Sequence, residues 1–324
     1  MLPAFAYVRP RSLPEAINHL ADEGARVHAG GTDLLGCLRD GVFASSKLVS
    51  LGNIHELRGI TETGNGLRIG ALTTITEITT SSVIQKRYPV LAQAAMEVAS
   101  PQLRNQGTMG GNLCQKPRCW YYRGEFHCLR KGGQVCFAVT GENQYHCMLG
   151  GDGCYIVHPS DTAPALIALD AKVRIAGSKG TRTIPLEGFF MPPSKDPKRE
   201  TILEPGEIVT EILLPVPPKD MHSSYRKVRT RQSWDFALAS VALTLTLRNR
   251  QVVSARIVLG GAAPVPWRAR EVEEIITGKQ LDGVTIAKAA EAAVGKAQPL
   301  DRNKYKLPLF RGVIEEQLQA AAAL

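Results

Sequence analysis

The chain has 324 residues (35.1 kDa), 44% of them hydrophobic and 21% charged, which is ordinary for a globular protein and long enough for two or three domains. Its net charge of +9 comes from scattered Lys and Arg with no basic run interleaved with aromatics, so nucleic acid is not the expected partner; a basic face for an anionic cofactor or acidic partner subunits fits better. No apolar run approaches the roughly 20 residues of a membrane span, and MLPAFAYVRPRSLPEAINHL has no basic segment followed by an apolar one, so the chain is expected in the cytoplasm, or in the periplasm as the passenger of a signal-bearing partner.

In chain order, Ser12 to Glu15 has a capping-box pattern, with Ile17, Leu20 and Ala21 at helical spacing and Gly24 as the stop. A short strand, Ala25 to His28, leads into Ala29-Gly30-Gly31-Thr32-Asp33-Leu34-Leu35. Two glycines after a strand allow a tight turn with bare N–H groups, the chemistry of an anion nest, although most such pairs are plain turns. Lys47 to Leu51 reads as a strand, and Ile60 to Thr63 with Leu67 to Ile69 as a hairpin around Gly64-Asn65-Gly66. Thr74 to Glu77 is a second capping box, and Pro89 to Val98 an amphipathic helix.

Gln106-Gly-Thr-Met-Gly-Gly-Asn112 offers backbone donors, a hydroxyl and an amide, but lacks the frame of a Rossmann turn; its bland reading is a tight connection between strands. Cys154 to Val157 reads as a strand, followed by a helix from Thr162 to Leu169 capped by Ser160 or Asp161. Strands are expected at Lys172 to Ala176, Thr181 to Pro185 and Ile208 to Leu214, with a Pro-rich loop from Met191 to Arg199. The last hundred residues read as three antiparallel strands, Tyr225 to Arg231, Phe236 to Leu247 and Val252 to Leu259. Helices at Ala269 to Thr277, Thr285 to Val294 and Leu309 to Ala321 cover them.

Six of the seven cysteines fall between Ser100 and Asp161: Cys114, Cys119, Cys128, Cys136, Cys147 and Cys154. Clustered cysteines without a signal segment favour metal ligands over disulfides. Cys119, Cys128, Cys136 and Cys154 are separated by eight, seven and seventeen residues, the spacing of neither a zinc ribbon nor a bacterial ferredoxin. Gly132, Gly133, Gly150, Gly151 and Gly153 leave amides free to donate to sulfur, and Arg118, Arg130 and Lys131 would offset anionic charge. His127, His146 and His158 are further candidate ligands, though lone histidines more often serve packing or capping. An iron–sulfur cluster, a structural zinc and disulfides all remain open on the spacing. A cluster would make the loop an electron wire, and zinc a brace.

Taken together, AGGTDLL, QLRNQGTMGGNL, HPSDTAPAL and YRKVRTRQSWDFALASVA resemble the FAD-binding medium subunit of the xanthine dehydrogenase family of molybdenum hydroxylases, over nearly the whole chain. The inserted loop is similar to that of the members with an extra 4Fe-4S cluster, 4-hydroxybenzoyl-CoA reductase and the periplasmic aldehyde oxidoreductase. The resemblance implies an α+β chain: a two-subdomain, PCMH-type FAD-binding fold (1–57 and 58–190, the latter with the cysteine loop at about 114–154), then a CO dehydrogenase flavoprotein C-terminal-like domain (200–324). It implies FAD held by Ala29, Gly30, Gly31, Thr32, Asp33, Leu34 and Leu35 and by Thr108, Gly110, Gly111 and Asn112, with Asp161 at the ribityl chain or ring and Lys227 as a nearby positive charge. It implies a 4Fe-4S cluster on Cys119, Cys128, Cys136 and Cys154, with Cys147 and Cys114 as competing ligands and Cys37 as a small buried residue. The implied function is electron transfer in a heterotrimeric oxidoreductase, between partner subunits carrying the molybdenum cofactor and 2Fe-2S clusters and a ferredoxin, quinone or NAD(P) carrier. With no substrate-transforming catalytic set evident, substrate chemistry is expected elsewhere. The rival readings are a stand-alone NAD(P)H-dependent flavin oxidoreductase and a zinc-braced assembly protein.

Overall fold

The structure is a computed structural model that describes residues 2–323. Three sheets follow one another along the chain. The first is parallel, with β1 (Ala6–Val8), β2 (Ala25–His28) and β3 (Lys47–Ser50) in the order β1-β3-β2. The Leu13–Leu20 helix packs its Ala16 and Leu20 into the core shared with Val49 and Leu51. Ser12 caps it, accepting from the Glu15 N–H, whereas the Glu15 carboxylate turns back to the Arg11 N–H, one residue short of a closed capping box. At Thr74 the box is complete in both directions.

The second sheet is antiparallel, in the order β4-β5-β8-β6-β7, with β4 (Ile60–Thr63), β5 (Gly66–Gly70), β6 (Lys172–Gly177), β7 (Gly180–Pro185) and β8 (Ile208–Pro215). The expected boundary near 200 puts the Ile208 strand in the C-terminal unit. Its pairing puts it in the middle of this sheet, where Ile208, Val209, Ile212 and Leu214 are covered on both faces. Helices Ile75–Thr80, Pro89–Met96 and Thr162–Ala168 bury their apolar stripes against it in the largest core of the chain.

The third sheet is antiparallel, with β9 (Met221–Val228), β10 (Ala239–Arg248), β11 (Gln251–Gly260) and a two-residue β12 (Trp267–Arg268) in the order β12-β11-β10-β9. The three expected strands are there, and β12 is added at the edge. β9 starts earlier than expected and stops at Val228, because residues 229–238 leave the ladder: Trp234 takes a φ of +54° and its N–H bonds to the Ala99 carbonyl. Helices Arg270–Ile276 and Lys306–Ala322 pack on this sheet, and helix Gly283–Val294 packs against those two helices.

Two other expectations are corrected. Residues 106–112 do not join strands; they connect helix Pro101–Gln106 to helix Met109–Leu113, with Ser100 and Thr108 as side-chain caps. Cys154 to Val157 form no strand, since the Tyr155 carbonyl accepts from the Cys147 N–H and the Cys154 N–H bonds to Gly151, which leaves no ladder partner. No helix among the described residues is long and apolar enough to cross a membrane.

Candidate functional site

The two glycine motifs meet across a cavity of about 460 Å³. At Gly30 an added Cβ would collide with the Gln106 carbonyl oxygen and press on the Gly107 Cα, so only a residue without a side chain permits this approach. Gly31 turns the chain with a φ of +72°. Among the described residues, the backbone N–H groups of Gly30, Gly31, Thr32 and Asp33 find no acceptor, leaving four successive donors at the cavity wall, the pattern of an anion nest. Helix Leu34–Arg39 follows at once. Leu35 packs back over Gly31 and does not line the cavity, whereas Ala29 to Leu34 do.

The second motif behaves differently from the expectation. Thr108, Gly110, Gly111 and Asn112 all line the cavity, yet the N–H groups of Gly110, Gly111 and Asn112 are not free donors. Gly110 donates to the Ala71 carbonyl (2.8 Å), Gly111 to Thr108 Oγ1 (3.3 Å) and Asn112 to the Thr108 carbonyl (2.8 Å), because these residues form a short capped helix. An extra Cβ on Gly110 would lie 2.9 Å from Ala71 Cβ, so this glycine serves close packing. Asn112 Oδ1 accepts from Ser160 Oγ (2.5 Å) and Thr162 Oγ1 (2.7 Å), which fastens the motif to the start of helix Thr162–Ala168.

Of the two expected caps for that helix, Ser160 does the work: its Oγ accepts the Ala163 N–H at 3.0 Å. Asp161 is thereby released into the cavity wall, where Tyr225 Oη donates to Oδ1 (2.9 Å) and Lys227 Nζ pairs with Oδ2 (2.7 Å). Burial holds the Asp161 carboxyl above the ordinary carboxylate range, against the opposing pull of the Lys227 ammonium. Lys227 itself is not in the wall. Its side chain is fully buried behind Asp161, with a further bond to the Glu97 carbonyl, so its charge reaches the cavity through the aspartate. Tyr225, the other half of this arrangement, has no short motif that marks it; its position opposite Ala242 in the β9–β10 register puts it there.

Asp33 ties the nest to the cysteine loop. Its carboxylate pairs with Arg118 (2.9 Å) and Arg123 (2.7 Å) and accepts the Lys116 N–H. Arg118 lines the larger cavity and stacks its guanidinium 5.0 Å from the Phe236 ring, while the next residue, Cys119, faces a second, small cavity. Cys119, Cys128, Cys136 and Cys154 all line that second space, with Tyr121, Tyr122, Arg130, Phe137 and His146 around them. All seven cysteines are free thiols, which removes the disulfide reading. Cys114 lines the larger cavity instead, Cys147 is buried outside the lining, and Cys37 is buried on its helix as expected.

His146 Nε2 lies 3.3 Å from Cys119 Sγ. Burial pushes the Cys119 thiol up to about 12 and raises Cys154, so ligation here would release protons. Among the described residues no three His, Cys, Asp or Glu side chains converge closely enough to hold a single metal ion. Of the three histidines, only His146 lines the small cavity.

Residues 3–217 match the FAD binding domain in molybdopterin dehydrogenase, and residues 223–318 the CO dehydrogenase flavoprotein C-terminal domain. The chain belongs to the family of FAD-binding medium subunits of the molybdenum-containing dehydrogenases, and is an oxidoreductase component on that ground. It is 35% identical to the aldehyde oxidoreductase FAD-binding subunit PaoB of Escherichia coli K12, covering 99% of both chains. It is 29% identical to the carbon monoxide dehydrogenase medium chain of Hydrogenophaga pseudoflava, covering 99% of this chain and 98% of the other. A solved structure of that carbon monoxide dehydrogenase superposes with a TM-score of 0.80 over 100% of this chain and 99% of the other, at 29% identity. The quinoline 2-oxidoreductase of Pseudomonas putida 86 gives 0.79 at 28% identity, over 100% and 98% of the two chains.

Proposed function

We propose that this chain is the FAD- and 4Fe-4S-bearing electron-transfer subunit of a molybdenum hydroxylase complex. Bound there, the two groups would supply single- and two-electron carriage between partner subunits holding the molybdenum cofactor and 2Fe-2S clusters and an external ferredoxin, quinone or NAD(P) carrier. FAD would lie between the first two subdomains, with the C-terminal domain closing one side. The four free donors of Gly30 to Asp33 would bind the pyrophosphate. Thr108 and Asn112, with Gly110 and Gly111 packed beneath them, would form the opposite wall, and Asp161 would accept from the ribityl chain or ring.

Cys119, Cys128, Cys136 and Cys154 would hold the cluster. The four thiols line one space, as a polynuclear group held by four thiolates requires. The observation that carries the reading is the adjacency of Arg118 and Cys119: consecutive residues face the two cavities, so the groups held in them would be joined through one short stretch of chain. The test is composition and absorption of the purified protein. Flavin bands over a broad shoulder near ~400 nm, with iron near ~4 per chain, are expected of a four-iron cluster, and Cys136→Ser should remove iron while sparing FAD. Zinc without flavin would sink the proposal. Equal loss of both cofactors in the variant would make the loop a structural brace.

A further inference from the structure

Two lysines are buried at the core of this chain, and they are treated differently. Lys227 is paired with Asp161. Lys306, at 0% exposure, has no carboxylate within ion-pair distance among the described residues; its Nζ donates to the carbonyls of Tyr145 (3.2 Å) and Gly261 (2.8 Å). It is also the first residue of the 17-residue helix Lys306–Ala322, at the end where the peptide dipoles already concentrate positive charge. A buried ammonium with no counter-ion is costly to keep. Burial pulls Lys306 down to about 8, which still leaves it protonated at neutral pH.

The same segment holds the last part of the cysteine loop. Asn303 Nδ2 donates to the carbonyls of His146 and Cys147 (3.0 Å each), and the Arg302 N–H donates to Asn143 Oδ1. His146 lines the thiol cavity beside Cys119, and both His146 and Cys147 feel the Lys306 charge. Arg130, the cation that lines that cavity, is already answered by Glu200, whereas Lys306 stands outside the lining and is joined to it by the Tyr145 carbonyl next to His146.

We propose that Lys306 is the counter-charge for an anionic centre held by Cys119, Cys128, Cys136 and Cys154, so that the C-terminal domain tunes the reduction potential of that centre. The inference rests on the cluster reading above, since a centre bound by four thiolates is anionic and would supply the charge Lys306 lacks. Lys306 is a positioning residue in this account; it touches carbonyls, not the centre.

The test compares wild type, Lys306→Met and Lys306→Arg as full-length flavin-loaded protein, each reconstituted anaerobically with iron and sulfide. In Lys306→Met the cluster's midpoint should move negative by roughly a tenfold change in its reduction equilibrium, about 59 mV for one electron. The rise in thermal midpoint on loading the cluster should shrink in the same variant, and Lys306→Arg should keep both near wild type. Iron lost from the Met variant alone would also support the counter-charge. An unchanged potential with an unchanged gain on loading, or equal iron loss in both variants while the chain stays folded, overturns it. Failure of wild type to take up iron overturns the cluster reading itself, and this inference with it.

Discussion

Gly30 shows how much one residue without a side chain can decide. Its φ is not in the left-handed region; its importance is the contact with Gln106 and Gly107, which brings the two glycine motifs together as one wall. Gly30→Ala should separate them, costing about 1–3 kcal/mol as overpacking and leaving a protein purified without flavin. Urea unfolding and the ratio of flavin to protein absorbance check both, and retained flavin at wild-type stability would refute the contact. Lys227 and Lys306 make the complementary point. Lys227 is singled out only by the family resemblance and Lys306 reads as an ordinary lysine, yet one is answered by a carboxylate and the other only by carbonyls.

Between the two cavities, residues 158–161 act as one element. Ser160 caps helix Thr162–Ala168 and holds Asn112, which frees Asp161 for Tyr225 and Lys227. His158 is packed edge-on against Phe190 at 4.6 Å, and burial, helped by the nearby Arg130 charge, holds its imidazole down to about 3. In the unfolded chain it titrates near ~6.5, so between the two values the unfolded state binds more protons. The stability tied to neutral His158 is therefore complete above pH ~6.5 and is lost as pH falls below it, by up to ~1.4 kcal/mol per pH unit. Wild type should be more stable than His158→Gln at pH 7, and the gap should narrow by pH 5 in urea titrations of the cofactor-free chain. A gap that stays constant would mean that His158 does not carry this dependence.

Across the whole molecule, the larger cavity takes walls from every unit: Leu20 and Ala25 beside the first sheet, Ala71 and Ile208 from the second, and Trp234 and Phe236 from the loop after β9. Flavin should therefore stabilise the chain as one body. At FAD 100-fold above its dissociation constant the gain is about 2.7 kcal/mol, read by calorimetry as a single transition moving upward. A second transition that stays at its flavin-free temperature would show that the C-terminal domain contributes no wall. The small cavity is lined by residues 119–156 alone, but that loop is latched to the C-terminal domain through Asn143, Met148 and Asn303.

What residue order alone determined is what acts over a few residues. The strand before AGGTDLL, the capped helices at Ser12, Thr74 and Ser160 or Asp161, and the α+β partition of the C-terminal domain were legible because periodicity, capping and motif chemistry are local, whereas the choice of four cysteines came from the family resemblance. Only the tertiary structure decided that β8 belongs between β5 and β6, that Gly110 and Gly111 spend their donors internally, that Lys227 stands behind Asp161 and that Lys306 stands alone. Each of those depends on partners far away in the chain, and burial and pairing between such partners leave no spacing for a sequence to display.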